Sequence, residues 1–264
     1  RDDVVVVTVN HRLGILGFLY LDDIGGEEYS GSGNAGMLDI VQALQWIRSN
    51  IAHFGGDPDK VMVFGGSGGA SKTSTLLAMP SARGLFHRGA LLSGPMLRVR
   101  TAAHAADLTR QMLDRLGLKP SEFGKLHDYP CATLLAEAAH LALPIDAGLA
   151  SAANPEEFMP MQPVVDGTAI PVQPMDPVAS PYGAEVAMMV GSTKDDMKMM
   201  MLGMPWFGRL DEAGLGQFLS ASFAELAEPS SVAASAASSA SGGTGGPAPA
   251  DAGGSAGRLA GLPG

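Results

Sequence analysis

Residues Lys60 to Met79 read KVMVFGGSGGASKTSTLLAM, and the fold turns on how the middle of this stretch is read. Val61 to Phe64 is an apolar run short enough for a strand buried on both faces, and Gly65-Gly66-Ser67-Gly68-Gly69 follows without a spacer. Helix-compatible residues then continue to Met79. Strand, G-x-S-x-G, helix is the setting in which this pentapeptide forms a nucleophile elbow, a sharp turn that lifts a serine hydroxyl clear of a sheet. Glycines flank the serine because the turn leaves no room for side chains. The pattern occurs a second time at Gly253-Gly254-Ser255-Ala256-Gly257, inside an Ala/Gly/Ser tail with no strand before it and no apolar helix after it. Context therefore selects Ser67.

Outward from the elbow, apolar runs alternate with helical periodicity. Val4 to Val9, VVVVTV, has the β-branched character of a central parallel strand covered on both faces, and it ends at Asn10-His11-Arg12. A histidine beside an arginine at a strand end is read as a hydrogen-bonded structural residue. Leu13 to Tyr20 is apolar but interrupted by Gly14 and Gly17, which predicts a packed loop, and Gly25 to Gly33 reads as a polar surface segment. Met37, Val41, Leu44, Ile47 and Ile51 recur at helical spacing and predict a helix over 34–52, with Asn34 as its N-cap.

Beyond the elbow, Gly89 to Ser93 reads as a short strand, Thr101 to Leu116 as an amphipathic helix stopped by Gly117, and 131–142 as a further helix. Phe158 to Pro177 is proline-rich and irregular. Glu185 to Val190 is a strand candidate that runs into Gly191-Ser192-Thr193-Lys194-Asp195-Asp196. This alternation predicts an α/β fold with a doubly wound, mostly parallel sheet and crossover helices. In such a sheet active-site groups gather at the carboxyl ends of strands, which is where Ser67 and the Asp195-Asp196 pair both fall. The five methionines within Met197–Met204 read as core filler.

Composition narrows the possibilities. With 46% hydrophobic residues, a chain of 264 residues can bury a substantial core. There are 27 Asp and Glu against 17 Lys and Arg and no basic cluster, so nucleic acid is not an expected partner. Cys131 stands alone, which excludes an internal disulfide and cysteine-based metal sites. No apolar run has the length of a membrane span and no basic-then-apolar leader opens the chain, so it reads as a soluble protein of undetermined compartment. From Pro229 to Gly264 the residues are Ala, Ser, Gly and Pro with few large aliphatics, and an unfolded tail is expected there after a globular domain over 1–228.

The segments VVVVTVNHRLGILGFLYL, SGNAGMLDIVQALQWIRSNIAHFGGDPDKVMVFGGSGGAS and SARGLFHRGALLSGP resemble, in order and spacing, the type-B carboxylesterases, a family that includes cholinesterases and bacterial para-nitrobenzyl esterases. PVVDG from Pro163 and GSTKDDM from Gly191 extend the resemblance, and the bacterial members are the most similar. It implies an α/β-hydrolase fold, a small-molecule ester substrate, no metal or organic cofactor, and a triad in the chain order Ser, acid, His. Ser67 matches the nucleophile. Asp196 matches the acid, with an aspartate where the family usually has glutamate, and Asp195 is the alternative. Gly68 matches the residue whose backbone N–H enters the oxyanion hole. The chain departs from the family at Gly66, where the family usually carries glutamate. It lacks the glycine-rich loop that normally precedes the valine-rich strand, and all six histidines precede Asp196. An incomplete serine esterase is the expectation, inactive by itself; the alternative is a non-catalytic relative that keeps the fold as a binding or adhesion module.

Overall fold

A computed structural model describes residues 3–94, 96–141 and 161–196, with residues 198, 202, 207–209, 211–214 and 216 beyond them. Its centre is a three-stranded parallel sheet of order β1-β2-β5, built from β1 (Met62–Gly66), β2 (Arg88–Leu92) and β5 (Ala187–Gly191). The register aligns Gly66 with Leu92 and Leu92 with Gly191, so all three strands end at one level. Between β1 and β2 the chain crosses over through α4 (Gly68–Leu76), the connection that parallel neighbours require. One face of the sheet, carrying Val63, Gly89 and Met188, lies under α4, where Thr73 reaches toward Gly89.

Packed beside α4 is α3 (Ala35–Asn50), continued by a 3-10 turn over Ile51–Phe54. Met37, Val41, Leu44, Ile47 and Ile51 are all buried, as their spacing predicts, and they join Leu76, Met79 and Phe86 in the main core. Burying a side chain of this kind stabilises the fold by about 1.5–3 kcal/mol, so this one stripe outweighs any intrinsic helix preference. A second cluster joins α1 (Gly14–Phe18), α5 (Ala102–Arg115) and α6 (Cys131–Ala139) through Ile15, Leu19, Met112, Leu113 and Leu134. The described residues also include the short α2 (Asp22–Gly25), several 3-10 turns, and a two-stranded parallel pair, β3 (Arg100–Thr101) with β4 (Val164–Val165).

Several expectations are corrected here. Val4 to Val9 pairs with no strand among the described residues, and Val4 and Val6 are each 71% exposed. β-branched residues favour extended backbone, but burial on two faces needs neighbouring strands that this segment does not meet in the described structure. Likewise β1 is not buried on both faces: Val63 is partly covered, while Phe64 is 63% exposed on the face away from α4. Leu13 to Tyr20 is not wholly a loop: Gly14–Phe18 forms the short helix α1, from which Phe18 enters the main core and Ile15 the second cluster. His11 is hydrogen-bonded as expected, with Nδ1 3.0 Å from Arg12 O, and Arg12 ties the segment down, with Arg12 N–H and Nε–H both 2.9 Å from Asp39 Oδ2. That hydrogen bond holds the Asp39 carboxyl below its ordinary pKa and raises that of Arg12.

Asn34 occupies the N-cap position of α3, but its side chain does not cap. Fully buried, it donates from Nδ2 to Val164 O at 2.8 Å and to Asp166 Oδ2 at 2.9 Å, and it accepts from Val164 N–H at 2.9 Å. The helix start is thereby bound to β4 and the PVVDG turn. Removing the amide strands a buried donor and acceptor, so Asn34→Ala is expected to lower unfolding free energy by about 2–4 kcal/mol. Chemical denaturation measures this, and a loss below about 0.5 kcal/mol contradicts the tie.

The chain divides into two compact units, Arg1–Ser222 and Phe223–Gly264, and every described residue lies in the first. The expected boundary after 228, the unfolded tail and most of the methionine-rich stretch lie outside the described residues.

Candidate active site

Ser67 sits between β1 and α4 with φ 51° and ψ −118°, a backbone conformation that costs a non-glycine residue of order 1–3 kcal/mol. The surroundings impose it. Ser67 N–H donates to Leu92 O at 2.9 Å, which prolongs the β1–β2 ladder by one rung, while Ser71 N–H donates to Ser67 O at 3.0 Å and begins the helix. One residue thus serves the sheet on one side and the helix on the other. Two glycines make the reversal fit. A Cβ on Gly65 would lie 2.4 Å from the backbone carbon of Gly69, and one on Gly94 would lie 3.0 Å from Ser67 Cα. Ser71 Oγ locks the second approach by donating to Gly94 O at 2.8 Å.

The acid loop leaves the end of β5. Ser93 N–H donates to Gly191 O at 2.8 Å, linking the carboxyl ends of β2 and β5. Elbow and loop emerge on the same level with one strand between them, which at the usual inter-strand spacing separates their backbones by roughly 10 Å. In the loop, Asp196 Oδ1 accepts from Thr193 Oγ1 at 2.8 Å, while Asp195 Oδ1 pairs with Lys198 Nζ at 2.7 Å. The two adjacent carboxylates are therefore not equivalent. Asp195 is committed to a lysine, whereas Asp196 is held by a neutral hydroxyl within its own turn.

None of the six histidines hydrogen-bonds to Ser67 or Asp196 in the described structure. His11 and His53 meet nearby backbone carbonyls, His87 Nδ1 accepts from Val61 N–H, and His127 Nε2 lies 3.0 Å from Tyr29 Oη. At Gly66 a Cβ would have 3.9 Å to its nearest neighbour, so the turn itself does not demand glycine there. Among the described residues no group of three or more His, Cys, Asp or Glu could hold a metal ion, and no helix is long and apolar enough to cross a membrane.

The neighbour of the elbow that sequence reasoning overlooked is Lys72. Its Nζ donates to Gly68 O at 3.2 Å and stands 5.9 Å from the centre of the Phe18 ring. Partial burial lowers its pKa below that of a free lysine. The one signal in the sequence is spacing: Lys72 follows Gly68 by four residues, one helical turn, on the helix that the elbow starts.

A parallel sheet whose first crossover begins at a strained serine, with an acidic loop two strands away at the same end, defines an α/β-hydrolase fold. Residues 1–213 match the model of the carboxylesterase family, and the chain belongs to that family. It is 37% identical to para-nitrobenzyl esterase of Bacillus subtilis (strain 168) over 198 residues, covering 74% of this chain and 38% of the esterase. Against cholinesterase 1 of Branchiostoma lanceolatum it is 33% identical over 214 residues, covering 79% of this chain and 58% of that protein. Among solved structures it is similar to the Geobacillus stearothermophilus carboxylesterase EST55 at pH 6.8, with a TM-score of 0.65, 34% identity, and coverage of 80% of this chain and 43% of that one. The chain thus spans between 38% and 58% of the length of these relatives.

Proposed function

We propose that this chain carries the nucleophile and the acid of a serine hydrolase acting on small carboxylic esters through an acyl-enzyme intermediate. Ser67 attacks the ester carbonyl, the alcohol leaves, and water then releases the acyl group in a second step. Gly68 N–H, the first free donor of α4, meets the oxyanion that forms on the carbonyl oxygen. Asp196 orients and charge-balances a histidine that relays the serine proton; none of the six in this sequence takes that place in the described structure. Two strand steps, roughly 10 Å between the backbones, leave room for an imidazole between the serine and the carboxylate. The observation that carries the reading is the backbone of Ser67: a strained conformation at the end of a parallel strand, over-determined by the Leu92, Ser71 and Gly94 contacts. We also read residues 1–228 as one hydrolase domain followed by a tail.

A fluorophosphonate probe tests the assignment directly, since it reacts with activated serines and leaves the rest unmodified. In the intact protein the modification is expected on the peptide containing Ser67 and on no other serine. Labelling elsewhere, with Ser67 untouched, defeats the assignment; no labelling at all, in a folded protein, favours the non-catalytic binding module instead.

A further inference from the structure

The mechanism proposed above uses backbone dipoles alone for the oxyanion, yet a full positive charge stands beside them. Lys72 Nζ lies 3.6 Å from the point where a Cβ on Gly68 would sit, and 3.2 Å from Gly68 O. The ammonium thus packs against the residue whose N–H is the proposed oxyanion donor. It lacks the partner that would cancel its field: among the described residues no carboxylate pairs with Lys72, and its contacts are Gly68 O and the Phe18 ring.

Placement makes this unusual. Lys72 is the middle residue of α4, yet its ammonium is drawn back to Gly68 at the helix start, where a cation opposes the helix dipole. Half-burial adds a desolvation cost, which the lowered proton affinity of Lys72 reflects. An ordinary surface lysine extends its head into water; this one folds back over Phe18 toward the elbow. Gly68 has no side chain to hold the ammonium off. A charge kept at cost, uncompensated, against the residue whose N–H meets the developing negative charge has one obvious use, because electrostatic stabilisation counts only where it is stronger in the transition state than in the ground state.

We propose that Lys72 supplies the oxyanion end of this site with a fixed positive charge, acting through space alongside Gly68 N–H to stabilise the tetrahedral intermediate formed on Ser67. The inference rests on the esterase reading of Ser67. The lysine stays protonated throughout; no bond to it forms or breaks, and the serine proton goes to the relay base.

The test compares wild-type protein, Lys72→Met and Lys72→Arg, each in the intact protein, with para-nitrophenyl butyrate as a neutral substrate and melting temperature as a fold control. Methionine keeps the apolar stem and removes the charge, whereas arginine keeps the charge. The expected result is a fall in kcat of about tenfold for Lys72→Met with KM nearly unchanged, and a kcat within about threefold of wild type for Lys72→Arg. Raising ionic strength should lower the wild-type kcat and leave Lys72→Met flat. If Lys72→Met keeps wild-type kcat, or Lys72→Arg loses as much as Lys72→Met, the lysine is a packing residue and the inference is overturned. A wild type without hydrolysis that depends on Ser67 overturns the esterase reading, and this inference with it. Hydrolysis that depends on Ser67 but is indifferent to the charge at 72 overturns this inference alone.

Discussion

Ser67→Ala is expected to remove essentially all ester hydrolysis from the intact protein, a loss of about 10⁴–10⁶ in kcat by analogy with removal of a triad nucleophile elsewhere. The substitution is structurally mild. Ser67 reaches its neighbours through its backbone, by Ser67 N–H to Leu92 O and Ser71 N–H to Ser67 O, and alanine keeps both bonds. Its φ of 51° is no harder for alanine than for serine, so melting temperature should move little. Rate and stability thereby separate, as they would not for a structural serine. A variant that retains more than about one per cent of wild-type kcat/KM would mean that the nucleophile is elsewhere. Ser67→Thr provides a contrast: a β-branched residue at positive φ is strained, so this variant should lose stability as well as activity.

Asp196→Asn should cost about 10⁴ in kcat, the size of effect seen when a triad acid becomes an amide that cannot hold the histidine in its charged form. Asp195→Asn should cost less than about threefold. The asymmetry follows from their partners, since Asp195 is paired with Lys198 at 2.7 Å while Asp196 accepts only from the Thr193 hydroxyl. A surface ion pair of the first kind contributes at most about 1 kcal/mol to stability, and nothing routes it to Ser67. Steady-state kinetics on both variants decides the matter. A larger loss from Asp195→Asn would transfer the acid role to the neighbouring residue.

The legibility of the fold in the sequence follows a physical line. Periodicity read α3 and the 3-10 turn that continues it correctly at all five core positions because one helical face meets one core, and a local pattern records that contact. The elbow was legible because strand, small residues and helix are all encoded within twenty residues. What local patterns do not record is the number of neighbours a strand has. Val4 to Val9 and Val61 to Phe64 both read as doubly covered; the structure exposes the first and leaves Phe64 uncovered, since sheet burial depends on elements distant in sequence. Asn34 was misread for the same reason: a cap is a local role, and its partners are 130 residues away. Lys72 was missed because a lysine among Ser and Thr on a helix reads as surface, and only its return toward Gly68 shows otherwise.

That distance between Asn34 and Val164 also carries a kinetic consequence. Bringing together two points 130 residues apart in a flexible chain costs about 4 kcal/mol of closure entropy, and the hydrogen bonds at the junction return that only once both segments are already ordered. The contacts of α3 with α4 join segments only a few tens of residues apart and carry a smaller penalty, so the helices are expected to meet first and the asparagine junction to form late. Denaturant-jump measurements on Asn34→Ala should then show the refolding limb nearly unchanged and the unfolding limb accelerated, a φ-value near zero. A slowed refolding limb would place the junction in the nucleus. The asparagine therefore sets how long the protein stays folded rather than how fast it gets there.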